Sequence, residues 1–84
     1  MTWFVVYGHD SCPYCKKAVA VLESAGEEYR YIRLESKFER EHFMEERGFD
    51  GAARTFPKVY EVDAEGEEHL VGGYDELEEK MLGF

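Results

Sequence analysis

The sequence predicts an α/β fold: one mixed four-stranded sheet flanked by three helices, in the order β-α-β-α-β-β-α. Three observations carry that expectation. The run Trp3 to Tyr7 is apolar on both alternating faces, as a strand in the middle of a sheet must be. A helical spacing of apolar residues follows it directly, and two further strand-like stretches flank a glycine-containing turn before a last amphipathic segment. The 84 residues, 44% hydrophobic and 15% aromatic, can supply one small core, so residues 1–84 read as a single domain.

The elements can be justified in order. Gly8 ends the first strand, and Asp10 and Ser11 offer capping oxygens to the helix that follows. From Pro13 to about Ala25 the positions Cys15, Ala18, Val19, Leu22 and Ala25 recur at helical spacing, and Gly26 stops the helix. Tyr29 to Leu34 reads as a strand on two tyrosines and Ile32, which makes a βαβ unit with a right-handed crossover. Residues 37–47 read as a charged helix with Phe38, Phe43 and Met44 as its apolar stripe, and a loop bracketed by Gly48 and Gly51 runs on to Thr55. Lys58 to Val62 is a strand, and Asp63-Ala64-Glu65-Gly66 turns the chain with glycine where positive φ is needed. Glu68 to Val71 returns as the hairpin partner. Gly72-Gly73 breaks that strand, and Tyr74, Leu77, Met81 and Leu82 mark the last helix. There are no internal repeats, linkers or low-complexity tracts.

Composition narrows the function. A net charge of −9 speaks against a broad nucleic-acid footprint, because phosphate binding needs a basic face. It suits a soluble protein that docks on basic patches of a larger partner. No run approaches the ~20 apolar residues of a membrane span, and the N-terminus lacks the pattern of a signal peptide. One close cysteine pair without a disulfide framework fits a reducing, cytoplasmic setting.

The chemistry concentrates in Cys12-Pro13-Tyr14-Cys15, which holds both cysteines at a strand-to-helix junction. There a C-x-x-C reads as a thiol–disulfide redox site. Pro13 suits the first helical turn, which puts Cys12 at the helix N-terminus, where orphan N–H groups and the helix dipole favour an anion. Lys16 and Lys17 add positive charge nearby. Cys12 is therefore the expected low-pKa, exposed nucleophile, and Cys15, on the apolar side of the first turn, the sheltered resolving thiol. A structural zinc site needs four ligands, and His9, His42 and His69 form no second pair of suitable spacing. A structural disulfide across so short a loop would remove little chain entropy. No metal is expected.

With these motifs on the page, the chain resembles a glutaredoxin of the thioredoxin-like fold, closest to compact bacterial and phage forms. Cys12-Pro13-Tyr14-Cys15 resembles the family's dithiol, and Thr55-Phe56-Pro57 its Thr-x-Pro, whose proline is cis and faces the dithiol. Gly72-Gly73-Tyr74-Asp75-Glu76-Leu77 resembles its Gly-Gly turn into the last helix. The resemblance implies a dithiol–disulfide oxidoreductase with glutathione as co-substrate and protein disulfides, such as that of ribonucleotide reductase, as clients. It implies a monomer. On that model the backbone of Phe56 pairs with the cysteinyl backbone of glutathione, a strand-addition contact. Free N–H groups at the start of the last helix, near Asp75 and Glu76, take the γ-glutamyl carboxylate. Glu76 takes the γ-glutamyl amino group, and Tyr14 lines the tripeptide. Thr55, Pro57, Gly73 and Tyr74 complete the expected site.

The sequence departs from the family pattern in two places. His9 stands where the family often has a lysine or arginine for the glycyl carboxylate, and it is only partly charged at neutral pH. Asp75 and Glu76 add negative charge near a bound carboxylate, which Arg54 and Lys58 are placed to offset. Two other readings follow from these departures and from the fold. One is a redoxin reduced by thioredoxin reductase; the other is an iron–sulfur carrier, against which both Cys15 and Tyr14 stand.

Overall fold

In a computed structural model, which describes residues 1–83, the chain runs β1 (Trp3–Gly8), α1 (Pro13–Ser24), β2 (Tyr29–Arg33), α2 (Lys37–Arg47), β3 (Lys58–Val62), β4 (Glu68–Gly72) and α3 (Tyr74–Leu82). Phe84, included in the expected domain, lies outside the described residues. The strands form one mixed sheet in the order β2-β1-β3-β4, with β1 parallel to β2 and antiparallel to β3, and β3 antiparallel to β4. This is the expected architecture. A short 3-10 turn at Gly51–Ala53 is the one regular piece in the loop before β3.

The apolar run of β1 is explained by its central place. Phe4 and Val6 face one side and join Ala18 and Leu22 of α1, Val59 of β3 and Leu77 of α3. Val5 and Tyr7 face the other and join Phe43 and Met44 of α2 with Tyr60 and Val62 of β3. Side chains alternate along a strand, so one strand feeds both cores only if every residue is apolar. Arg47, at the end of α2, ties the second core to the far hairpin. Its guanidinium lies 5.0 Å from the Tyr7 ring and 4.9 Å from the Tyr60 ring, and it donates to Tyr7 Oη (3.1 Å) and Glu68 Oε1 (3.3 Å).

Two expectations are corrected. Phe38 is not part of the apolar stripe: it is 77% exposed, while Phe43 and Met44 are buried. Five residues along a helix turn a side chain by about 140° from Phe43, which leaves Phe38 off the sheet-facing side. Nor do Asp10 and Ser11 cap α1. Because Pro13 is the first helical residue, the N-cap is Cys12, whose sulfur accepts the Cys15 N–H at 3.3 Å. Asp10 lies too early and pairs with Arg33 instead, at 3.3 Å.

The remaining helix ends follow ordinary rules. Ser36 and Glu39 form a reciprocal capping box on α2, with Glu39 N–H donating to Ser36 Oγ (3.0 Å) and Ser36 N–H to Glu39 Oε1 (3.2 Å). Among the described residues no helix is long and apolar enough to cross a membrane.

Candidate active site

The site sits where β1 hands over to α1, facing the loop before β3 and the turn into α3. Cys12 is the N-cap of α1 and Cys15 lies one turn on, on the face that packs against the sheet. Both are free thiols. Cys15 is fully buried, as expected of a resolving thiol, but Cys12 is only 9% exposed and so is not the open nucleophile the motif suggested. The Phe56 carbonyl covers it, lying 3.5 Å from its sulfur. Cys12 is held between a helix N-terminus and the Phe56-Pro57 segment, whose peptide bond is cis.

The two thiols occupy different electrostatic settings. Cys12 Sγ accepts a backbone N–H from Cys15, the kind of contact that suits a sulfur carrying negative charge. Burial pushes the Cys15 thiol up to about 12, a hydrogen bond to Cys12 adds to that, and the His9 backbone N–H works the other way. Cys15 is therefore held as a protonated thiol. Its close packing begins in the sequence: Gly8 has no side chain, and a Cβ there would meet Cys15 Sγ at 2.5 Å.

Beside Cys12 runs a cleft of about 500 Å³. One wall is Thr55, Phe56 and Pro57; the opposite wall is Gly73, Tyr74, Asp75 and Glu76, with Tyr14 at the end nearest the dithiol. Two segments apart in sequence thus converge because β3 and β4 are antiparallel, with Val59 opposite Gly72, which sets the residues before β3 beside those after β4. Tyr14 is 53% exposed and tilts against Tyr74 at 5.7 Å, so an aromatic pair marks the mouth. Glu76 folds back, and its Oε1 accepts the Gly73 N–H at 2.7 Å. That contact presses on Gly72, whose φ is +131° and where a Cβ would lie 2.7 Å from the same oxygen.

His9 does not line this cleft. It lies on the other side of Phe56, edge-on to that ring at 5.7 Å, in an adjoining pocket with Lys37, Arg40, Glu41, Met44 and Arg54. Arg54 belongs to that pocket as placed, its Nε donating to Phe49 O at 3.0 Å. Lys58 reaches neither space. It is 6% exposed, with Nζ 4.7 Å over the Phe49 ring and 3.5 Å from Thr55 Oγ1, and burial lowers its pKa.

Lys37 and Arg40 were not legible as site residues, because on sequence they are two more charges on a charged helix. Tyr31 was missed too. It stands behind Cys15, and only the pairing of Val6 with Tyr31 across β1 and β2 reveals that.

The comparisons with known proteins agree with this geometry. The glutaredoxin family model matches residues 4–67. Glutaredoxin 1 from Francisella tularensis, solved with cacodylate, superposes with a TM-score of 0.76 at 22% identity, all of each chain being covered. The glutaredoxin of Brucella melitensis gives 0.65 at 29% identity over 92% of this chain and 75% of its own. A buckwheat glutaredoxin–glutathione complex gives 0.65 at 23% identity, over 98% and 71%. No curated protein matches the sequence. With the family model spanning most of the chain, and both thiols placed at a helix N-terminus on a thioredoxin-like sheet, the chain belongs to the glutaredoxin family and is a thiol–disulfide oxidoreductase.

Proposed function

We propose that the chain, as one domain over residues 1–84, is a glutathione-dependent dithiol oxidoreductase acting on protein disulfides and glutathione mixed disulfides. The observation that carries the reading is the cleft beside Cys12, lined by the Thr55-Phe56-Pro57 segment, the N-terminus of α3 and Tyr14. An extended tripeptide fits that setting, with its cysteinyl sulfur at Cys12 and its backbone along Phe56. The first N–H groups of α3 face the γ-glutamyl carboxylate. Glu76 keeps one oxygen on Gly73 N–H and turns the other to the γ-glutamyl ammonium. His9 and Arg54, past Phe56, receive the glycyl carboxylate. The buckwheat relative, solved with glutathione, supports the choice of ligand.

The chemistry is two exchanges. Cys12 thiolate attacks a client disulfide; its electron pair forms the Cys12–client bond, and the displaced client sulfur leaves and takes up a proton. Cys15 then loses its proton and attacks Cys12 Sγ, so that the second client sulfur departs reduced and Cys12–Cys15 is left oxidised. One glutathione thiolate opens that disulfide onto Cys12, and a second releases glutathione disulfide. Cytoplasmic protein disulfides, that of ribonucleotide reductase among them, are the proposed clients of a monomeric enzyme.

Turnover of a glutathione mixed-disulfide substrate with glutathione, glutathione reductase and NADPH tests this. Cys12→Ser is expected to abolish all activity. Cys15→Ser is expected to keep mixed-disulfide turnover and lose direct protein-disulfide reduction. Equal loss of both activities in the Cys15 variant would overturn the assigned roles. No turnover with glutathione, but reduction restored by thioredoxin reductase, would replace the electron donor.

A further inference from the structure

Tyr31 carries an unexplained feature. Its hydroxyl is buried and has no hydrogen-bond partner, the one such side-chain atom among the described residues. A buried hydroxyl without a partner costs stability, and native proteins rarely keep one without a use. The residue lies on β2 directly across from Val6 and packs on the same core as α1. Its ring edge and the Cys15 sulfur both border the vacant side-chain position of Gly8, at 3.2 and 2.5 Å from where a Cβ would be. The ring therefore borders the same small space as the resolving thiol, while its hydroxyl makes no hydrogen bond to the Cys15 sulfur as long as that thiol is reduced.

We propose that the Tyr31 hydroxyl is the donor that stabilises Cys15 as a thiolate while it attacks the Cys12 mixed disulfide. The inference rests on the dithiol reading above. In that step Cys15 gives up its proton, its electron pair forms the bond to Cys12 Sγ, and the departing sulfur takes up one proton, so charge and electrons balance. Between those events a negative sulfur sits in a sealed space. The other donor that faces it is the His9 backbone N–H. Burial keeps the Tyr31 phenol above its ordinary value and hence protonated; Cys15, Asp10 and Cys12 raise it further and Arg33 opposes them. Tyr31 is thus a donor throughout the neutral range, and a hydrogen bond to the charged form of Cys15 favours that form.

The test uses the full chain with glutathione attached to Cys12, and follows release of the glutathione thiol by stopped flow across neutral pH. Tyr31→Phe is expected to slow release roughly ten- to hundredfold, the worth of one hydrogen bond to a charged group. It is expected to leave the denaturation midpoint of the reduced protein unchanged or higher, because an unpaired hydroxyl has gone. Mixed-disulfide turnover, which needs Cys12 alone, is expected to stay unchanged. A merely structural tyrosine would give the reverse pattern: a lower midpoint and native release. Unchanged release in Tyr31→Phe overturns the inference. If that variant does not fold, 3-fluorotyrosine installed at position 31, a more acidic phenol of nearly the same shape, decides it: faster release supports the role, and native release overturns it. Cys15→Ser in the same assay separates the two readings, since release that persists without Cys15 sinks the dithiol mechanism itself.

Discussion

Cys15 is sealed because Gly8 lets it be. A methyl group at Gly8 would lie 2.5 Å from the Cys15 sulfur and 3.0 Å from its Cβ, and both contacts are with a residue fixed on the buried face of α1. Gly8→Ala is therefore expected to cost roughly 1–3 kcal/mol, the range for overpacking a close-packed site, as read from the urea midpoint. Its chemical signature is separable from that loss. Direct protein-disulfide reduction, which needs Cys15 in line with Cys12, is expected to fall further than mixed-disulfide turnover. Equal losses would mean that Gly8 matters for folding alone. At this scale the sequence was legible for the two thiols, whose spacing put Cys15 on the buried helix face. It was not legible for Gly8 or Tyr31, which read only as a strand end and a strand former. Their closeness to Cys15 is a product of strand register, which local pattern does not carry.

Helix α2 shows how an element can be found for the right reason and its faces partly misread. Its end was marked by Gly48, while the Ser36–Glu39 capping box that opens it was not part of the sequence reading and is seen in the structure. Yet only Phe43 and Met44 are buried from this helix, so it rests on the sheet through a narrow contact. Capping then matters more than for α1 or α3, which share a core with each other. Ser36→Ala is expected to destabilise the protein by about 1 kcal/mol, measured as a lowered denaturation midpoint. The same first turn carries Lys37 and Arg40 to the pocket beside His9, and Arg40 donates to Leu34 O (2.9 Å) and Glu35 O (2.7 Å), fixing the entry to the helix. Fraying of this turn is expected to raise KM for glutathione as well. Stability loss without any change in KM would show that the pocket does not depend on the cap.

Across the whole molecule, the order of elements was legible because the central strand announced itself by being apolar on both faces and glycines marked the ends of the elements around it, even where alternation was weak, as in Tyr29 to Leu34. The charge distribution was not. A chain with net charge −9 places the cations Lys37, Arg40 and Arg54, with Glu41 and His9, around one pocket that shares Phe56 with the cleft, while the cleft itself carries Asp75 and Glu76. Two separate segments supply those cations, so no linear pattern reveals them. The acidic surface then has a physical consequence: an anionic substrate is repelled by most of the molecule and attracted at the end of the cleft beyond Phe56. Both guanidinium groups of that cluster are tethered, Arg40 through Nη1 to Leu34 O and Glu35 O, and Arg54 through Nε to Phe49 O, which leaves the terminal nitrogens of Arg54 without that tether. Arg54→Ala is expected to raise KM for glutathione several-fold while leaving kcat close to native, the pattern of lost uniform binding. Added salt is expected to raise KM in the native protein and to do so less in the variant, because screening removes a long-range attraction that the variant has already partly lost. A kcat that falls with KM unchanged would instead place Arg54 in the exchange step, and would move the glycyl carboxylate out of this pocket.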